Sequence, residues 1–194
     1  MRQCRSNCDF LEHRVAQRNA VAKSSAEAMS TNVTREQFRQ AMGSFATGVT
    51  VITVAEAAGE VHGMTANAFT SVSLDPLLVL VCVDHRARTK AQLQEKKRFG
   101  INVLSAGQRA ISEFYARSTE THQHAEDAGA RFDRTRQDTP VLRGALAFLE
   151  CRLQSEHEAG DHTIFLAEVE DVLIRDGEPL LYFRAEYRAV GEKI

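Results

Sequence analysis

A run of small residues at positions 62–76 constrains the fold of this chain more than any other feature. It reads His-Gly-Met-Thr-Ala-Asn-Ala-Phe-Thr-Ser-Val-Ser-Leu-Asp-Pro and leads directly into an apolar segment at 77–83. Strands normally favour bulky β-branched or aromatic side chains, yet six of the eight positions 63–70 carry Gly, Ala, Thr or Asn. Small residues on a sheet face let a large, flat molecule approach the backbone. A short edge strand that ends in a turn at Asp75 and Pro76 is the alternative interpretation.

The composition is typical of one soluble globular domain. The chain has 194 residues, of which 43% are hydrophobic and 26% charged, and this is enough for a sizeable buried core. The formal net charge of -2 predicts neither a nucleic-acid partner nor a membrane-surface partner. No apolar run approaches the roughly 18 residues of a membrane span.

The cysteines indicate a reducing compartment, and we expect the protein in the cytoplasm. Cys82 and Cys151 each lie inside an apolar segment, where a free thiol behaves as a small hydrophobic side chain. Cys4 and Cys8 have no second pair nearby, so they do not predict a zinc site.

The first 33 residues differ from the rest of the chain. Residues 1–33 are polar and lack the continuous apolar core of a secretory signal. We expect them to be disordered, or to precede a natural start at Met29, with one domain over 34–190. A helix over 8–28 that packs on a partner is the alternative.

The hydrophobic pattern predicts a mainly β fold. Thr34 and Gln37 form a capping box, and the helix that follows is expected to bury one apolar face and to end near Gly48. Many strands and few helices predict a closed antiparallel barrel, and no GxGxxG motif supports a dinucleotide-binding doubly wound sheet. Strands are predicted at 49–54, 63–71, 77–83, 98–104, 145–155, 162–175 and 180–190, helices at 89–97 and from Ser105, and a long polar loop at 116–140.

Six sequence elements, taken in order over residues 34–190, resemble the flavin reductase family. They lie at 38–53, 63–67, 75–83, 98–104, 160–165 and 179–184. This family supplies the small reductases that feed reduced flavin to two-component monooxygenases. The resemblance implies the FMN-binding split-barrel fold and a homodimer with flavin near the subunit interface. It also implies hydride transfer from NADH or NADPH to FAD or FMN, with the flavin rather than a protein acid or base carrying the chemistry.

The resemblance places the flavin ring against the small-residue run. Backbone amides there, with the side chains of Thr65 and Asn67, would stabilise the negative charge that builds on the reduced ring. Asn67 could instead cap a turn. The predicted flavin-binding residues are Gly63, Met64, Thr65, Ala66, Asn67, Ala68, Ser71, Cys82, Val83, Asp84, Arg88, Thr89 and Tyr115.

The flavin phosphate is assigned to the loop that leads from Asp84 into the next helix. Amides at a helix N-terminus and the helix dipole attract anions. Arg88 can add a charge-assisted contact and Thr89 a hydroxyl, and the family carries a basic residue followed by a hydroxyl residue at this point. A solvated basic loop is the alternative, and the role of Arg86 is left open.

The nicotinamide is assigned to two segments by the same resemblance. His162, in Gly160-Asp161-His162, would orient the nicotinamide over the flavin, although a lone His at a strand start can be an ordinary turn residue. Tyr182, Phe183 and Arg184 resemble the family's closing motif. Ala185 stands where the family usually has Gly, and Glu186 replaces a common basic residue.

Two other functions and a metal site are the alternatives that the sequence offers. A non-catalytic flavin carrier or redox sensor would use the same barrel without a nicotinamide site. An enzyme like pyridoxamine-phosphate oxidase would need a basic substrate-phosphate pocket. His122, His124, Glu126 and Asp127 resemble metal ligands, but the stretch reads as a polar loop without a well-spaced third ligand, so no metal is predicted.

Overall fold

The computed structural model describes residues 32–117 and 125–192. The predictions for residues 1–31, for Cys4 and Cys8, and for the pair His122 and His124 lie outside the described residues. The chain divides into two units, the first ending at Met42 and the second beginning at Gly43. No helix among the described residues is long and apolar enough to cross a membrane.

The described elements are three α-helices, two short 3-10 helices (Ala57–Gly59 and Ala106–Gln108) and twelve strands. The helices are α1 (Arg35–Gly43), α2 (Arg88–Lys96) and α3 (Arg109–Tyr115). The strands are β1 (Thr47–Gly48), β2 (Thr50–Ala55), β3 (Val61–Ala66), β4 (Phe69–Leu74), β5 (Leu77–Asp84), β6 (Arg98–Val103), β7 (Phe132–Arg134), β8 (Pro140–Leu142), β9 (Ala147–Ala159), β10 (His162–Ile174), β11 (Leu181–Phe183) and β12 (Glu186–Arg188).

Helix α1 begins as predicted and differs from the prediction at its end. The Gln37 amide donates to Thr34 Oγ1 at 3.1 Å, and the Thr34 amide donates to Gln37 Oε1 at 2.9 Å, which is the predicted capping box. The helix ends at Gly43 rather than near Gly48, because residues 47–48 pair with β11 instead. Phe38 is 60% exposed and no residue of α1 is buried, so the predicted packing of one apolar face stays a prediction.

Seven strands form one antiparallel sheet in the order β3-β2-β6-β9-β10-β5-β4. Its two edge strands, β3 and β4, are consecutive in sequence and joined only by Asn67 and Ala68. Residues from both halves of the sheet, such as Ile52 of β2 and Val81 of β5, share one core, so the sheet curls into a barrel. No ladder joins β3 to β4 in the described part of the chain. The mainly β split-barrel fold is confirmed, and the expectation of a fully closed barrel is corrected to one split along this seam.

Helix α2 fills one end of the barrel. Leu93 of α2 is fully buried and packs in the same core as Val83 and Phe99. Lys97 then takes a left-handed conformation, with φ of 56°, and its amide donates to the Leu93 carbonyl, which ends the helix. The start of α2 is therefore held at the barrel end where β5 finishes.

A second core lies outside the barrel wall. Val51 points away from the barrel interior and packs with Leu104, Ile111, Tyr115 and Leu142. We call this outward side of β2, β6 and β9, together with the α3 and β8 residues that pack over it, the covered face.

Part of the predicted loop at 116–140 is ordered as the hairpin β7–β8. Two buried side chains from the sheet hold it. Thr53 Oγ1 donates to the Pro140 carbonyl at 2.7 Å, and the Leu142 amide donates to Asn102 Oδ1 at 2.8 Å. Both bonds end on backbone atoms of the hairpin, so its own side-chain pattern does not reveal them.

The predicted last strand at 180–190 is a hairpin instead. Strands β11 and β12 pair around Arg184 and Ala185, whose φ angles are 49° and 61°. Two residues at positive φ form the kind of tight turn that matches the twist of a hairpin. This conformation also explains a glycine at the position of Ala185, since glycine adopts it without strain.

Candidate flavin site

The strands β5 and β10 leave one side of the barrel wall open. In β5, Val81 and Val83 are buried while Cys82 and Asp84 are half-buried, so the latter two point outward. The register sets Asp84 opposite His162 and Cys82 opposite Ile164. We call these four outward residues, Cys82, Asp84, His162 and Ile164, the open face. The structure thus brings together three of the predicted site residues.

The seam of the barrel borders the open face. Asn67 and Ala68 are exposed, and the Cys82 amide donates to the Ala68 carbonyl at 3.0 Å. Ser71 follows on β4 and is also exposed. Small side chains at a bend in the strand leave room for the edge of a flat ligand beside the half-buried Cys82, whose pKa is raised by burial.

The side chains of 63–66 serve packing rather than the surface. A Cβ atom on Gly63 would lie 2.5 Å from the Tyr115 ring, so the ring occupies the space that glycine leaves. Thr65 Oγ1 donates to the Ser112 carbonyl at 2.7 Å. Ala66 is buried in the barrel core and Met64 packs against it. The side chains of these four residues are used in packing, so a contact with flavin would come from their backbone atoms.

Two further predicted contacts are buried by their side chains. Val83 is fully buried inside the barrel, and Tyr115 is 2% exposed behind β3. Burial raises the pKa of the Tyr115 phenol. The alternation of β5 turns Val83 inward and α3 turns Tyr115 into the covered face, so the contacts of these two residues with flavin stay predictions.

Arg86, whose role the sequence leaves open, is hydrogen-bonded to Asp84. Its backbone amide donates to Asp84 Oδ1 at 2.8 Å, and its Nη2 donates to Oδ2 at 2.7 Å. These hydrogen bonds hold the pKa of Asp84 well below its usual range. The Asp84 carboxylate at the end of β5 is thus kept ionised, and the Arg86 guanidinium in the following loop balances its charge.

The start of α2 has no side-chain cap of its own. Ala87 occupies the N-cap, and the first turn carries no acidic residue. Arg88 is exposed and forms an ion pair with Glu56. Thr89 is 2% exposed, and its Oγ1 lies 2.8 Å from Nε2 of the buried His62. An uncapped helix start beside an arginine favours an anion, but the Thr89 hydroxyl faces His62, so its contact with phosphate stays a prediction.

His162 is held by its neighbour. Its Nδ1 lies 2.8 Å from Asp161 Oδ1, and this hydrogen bond lowers the pKa of Asp161. The pairing fixes the ring and leaves Nε2 for another partner. The same turn is tied to the phosphate loop, because the His85 amide donates to the Asp161 carbonyl at 3.0 Å.

The predicted closing motif lies elsewhere in the single chain. Tyr182 pairs with Thr47 in the small sheet β1-β11-β12, and its ring is 5.4 Å from that of Tyr187. Phe183 carries the Arg184 guanidinium at 5.1 Å from its ring centre. Strand β1 precedes the start of β2, and the register places the start of β2 at the barrel end where β10 finishes. His162 starts β10, so one chain does not bring it to these three residues.

Comparison with known proteins decides the family. The model of the flavin reductase like domain matches residues 42–191. The chain is 42% identical to an NADH-dependent flavin reductase of a Rhodococcus species over 84% of this chain and 90% of that protein. It is 39% identical to the reductase component of 4-hydroxyphenylacetate 3-monooxygenase of Thermus thermophilus, over 79% of this chain and 95% of that protein.

The chain belongs to the flavin reductase family.

A solved structure agrees with the fold. The NADH:FAD oxidoreductase of Streptomyces globisporus C-1027, solved with NAD and FAD fragments, is 36% identical and has a TM-score of 0.75. The match covers 84% of this chain and 98% of that one.

The residues present fit the flavin that family membership implies. The exposed seam at Asn67 and Ala68 offers amide donors for a ring edge. The start of α2 lies where β5 ends, on the same side as Asp84, and carries the cation Arg88. A flat polar ring with a phosphate at the end of a short chain needs this combination of a small-residue strand and an anion site.

Sequence reasoning missed four residues that shape this site. Glu56 and His62 contact the first two residues of α2. Asp161 orients His162, and Glu158 accepts hydrogen bonds from Lys90 at 2.9 Å and pairs with His85 at 2.6 Å. The Lys90 bond lowers the pKa of Glu158. Only His62 carried a signal: it precedes Gly63 at an inward position of β3, where a polar side chain needs a partner.

A cavity of about 780 Å³ opens on the other side of the β2–β3 turn. Among the described residues, four arginines and four carboxylates border it: Arg88, Arg131, Arg134 and Arg143 with Glu56, Glu60, Glu126 and Asp127. Arg134 donates to the Gly59 carbonyl at 2.6 Å, and Arg143 pairs with Asp133 at 2.6 Å. The charges are balanced, so this cavity does not provide the basic phosphate pocket that a pyridoxamine-phosphate oxidase needs.

Proposed function

We propose that this protein is an NADH-dependent flavin reductase that reduces FAD or FMN and supplies the reduced flavin to a separate monooxygenase. The names of its relatives support the reaction and the donor. The observation that carries the proposal is the open face, which sets the oriented His162 directly across from Asp84 and beside the exposed seam. When bound, flavin accepts a hydride from the nicotinamide.

The chain's own residues would position the reactants rather than react. The Asn67 side chain and neighbouring amides donate to the ring edge and stabilise its negative charge. Arg88 and the first amides of α2 bind the phosphate. His162, held by Asp161, orients the nicotinamide, so that proximity and alignment supply the rate. Because the flavin must leave for the partner enzyme, the site is expected to hold it by few contacts.

We further propose a homodimer whose second copy completes the nicotinamide pocket. One chain separates His162 from Tyr182, Phe183 and Arg184, and a second copy can supply the missing part. Large apolar side chains are exposed where β4 ends, β5 begins and β10 ends, with Leu74 at 87% and Ile174 at 77%. Exposed apolar patches of this kind mark interfaces. The apolar residues of this patch are Val72, Leu74, Leu77, Val172, Leu173 and Ile174.

The partner enzyme and the compartment follow from the same reasoning. Relatives include reductase components for 4-hydroxyphenylacetate and 4-nitrophenol monooxygenases, and we propose a monooxygenase of an aromatic substrate as the partner. The described cysteines, Cys82 and Cys151, are free thiols. We place the protein in the cytoplasm on that basis.

The test is anaerobic stopped-flow absorbance with FAD or FMN, to which NADH or NADPH is added. We expect rapid loss of the oxidised-flavin absorbance with NADH, and His162→Ala to slow it roughly tenfold to hundredfold through lost alignment, with the flavin Kd unchanged. Glu113→Ala, which removes an exposed ion pair with Arg109 on α3, is the control. Flavin binding without reduction by either nucleotide would favour the carrier or redox sensor instead.

A further inference from the structure

His62 is a buried polar residue that the proposed reaction does not use. It is 3% exposed in β3 and is the first residue of the run that borders the predicted flavin ring. An imidazole in such a place is unfavourable unless it is hydrogen-bonded. Its Nε2 lies 2.8 Å from Oγ1 of Thr89, which is itself 2% exposed. The bond therefore joins two buried groups that lie 27 residues apart.

The partner of His62 lies in the first turn of α2. Thr89 is the second residue of α2, whose N-cap Ala87 provides no side-chain hydrogen bond. The Ala87 amide donates to the Asp84 carbonyl at 2.9 Å, so the end of β5 fixes the turn before the helix. The first helical residues are held from the β2–β3 side, Arg88 by Glu56 and Thr89 by His62.

We propose that His62 is a positioning residue for the flavin phosphate. It holds Thr89, and with it the first turn of α2, in register with the strand that carries the flavin ring. The inference rests on the proposed function, because it assumes that α2 binds the phosphate. Its distinctive consequence is that His62 governs affinity for the phosphate and leaves affinity for the ring unaffected.

Riboflavin has the ring and ribityl chain of FMN without the phosphate, so the two ligands separate these effects. The experiment measures both dissociation constants from the quenching of flavin fluorescence. We expect the wild type to bind FMN about tenfold or more tighter than riboflavin. His62→Leu is expected to reduce that ratio about fivefold or more, with riboflavin affinity changed less than about twofold.

Conservative variants and a matched control test the same bond. His62→Gln places an amide where Nε2 stood and is expected to keep the ratio. Thr89→Val removes the bond from the other side, so it tests the proposal even if His62→Leu does not fold. Thr53→Val removes a comparable buried hydroxyl, which donates to the Pro140 carbonyl at 2.7 Å, and is expected to leave the ratio unchanged.

The outcomes separate this inference from the proposed function. Equal loss of FMN and riboflavin affinity in His62→Leu and Thr89→Val, or no change in their ratio, would overturn the role of His62. A ratio that falls equally in Thr53→Val would also overturn it. If the wild type reduces flavin but does not prefer FMN, the phosphate site and this inference fail together. If the wild type does not reduce flavin while the ratio behaves as expected, the proposed function fails and the inference stands.

Discussion

The covered face and the open face belong to one barrel wall and use their polar residues in opposite ways. On the covered face, Asn102 is fully buried and is bonded to the Val51 carbonyl and to Thr53 Oγ1. On the open face, Asp84 and His162 are bonded to their own loops and still reach solvent. A polar residue whose partners are all within the chain stabilises the fold. One that keeps an outward side can bind a ligand.

Glu150 shows how complete the internal bonding of the covered face is. It is 1% exposed and accepts hydrogen bonds from Thr139 at 2.5 Å and Thr135 at 2.8 Å, with Arg98 at 3.5 Å. A carboxylate is tolerated in a protein interior only when hydrogen bonds and a nearby cation compensate for its lost hydration. Its task is to hold the turn between β7 and β8, so residue type alone does not identify a catalytic carboxylate.

Leucine truncation gives the largest expected difference between the faces. Leu142→Ala, at a fully buried position of the covered face, should lower the free energy of unfolding by about 3 kcal/mol, because it leaves a cavity. Leu166→Ala, at the half-buried outward position of β10 that follows Ile164 and continues the open face along the strand, should cost about 1 kcal/mol. Urea denaturation measures both. Equal losses would mean that the open face is as tightly packed as the covered one.

Gly63 lies between the faces and tests where the boundary runs. Gly63→Ala puts a Cβ atom 2.5 Å from the Tyr115 ring, and overpacking of this kind costs about 2 kcal/mol. In a Tyr115→Leu background the penalty should shrink, which a double-mutant cycle in urea would reveal. An unaffected unfolding free energy with lost flavin binding would instead assign Gly63 to the ligand, as the sequence predicts.

The sequence predicted the open face better than the covered one, for a physical reason. The apolar run of β5 and the motif around His162 are local, so they predicted these strands and marked Cys82, Asp84 and His162 as candidate site residues. The hairpin β7–β8 depends on Thr53 and Asn102, which contact it from 87 and 40 residues away. Such bonds between side chains and distant backbone atoms leave no periodic pattern.

Local sequence patterns also did not predict which side chains of the candidate site are buried. A run of small residues suggests an exposed surface that receives a ligand. Instead, Thr65 is hydrogen-bonded to α3, and the Tyr115 ring occupies the space beside Gly63. These contacts depend on where α3 packs, which the spacing of its apolar residues does not specify. The split of the barrel at Asn67 and Ala68 had the same cause: it depends on which strands pair.

Ala185 provides a smaller effect outside both faces. Its φ of 61° is a conformation that glycine adopts without strain. Ala185→Gly should therefore raise the free energy of unfolding by about 0.5–1 kcal/mol, and a thermal melt would detect the shift in Tm. Unchanged binding of both flavin and NADH would keep this turn apart from the site, whereas altered NADH binding would make it part of the nicotinamide pocket.

Asp84 should give the smallest effect on stability, and one that depends on pH. Hydrogen bonds from Arg86 lower its pKa in the folded state below the ordinary 3.8. The ionised carboxylate therefore stabilises the fold above that value, and the contribution is lost as pH falls through the lowered pKa. The urea midpoint of Asp84→Asn should lie slightly below that of the wild type at pH 7, and the gap should close in acid. A gap that widened in acid would contradict this assignment.

The strand order has a consequence for how the protein is made. Strand β5 pairs with β4 on one edge and with residues 162–168 of β10 on the other. Synthesis proceeds at about 5–20 residues per second, so the second edge of β5, a strand that contains the apolar Val79, Val81 and Val83, stays unpaired for on the order of ten seconds until β10 is made. An unpaired apolar strand is prone to aggregate, so the nascent chain is most exposed to aggregation between the emergence of β5 and that of β10.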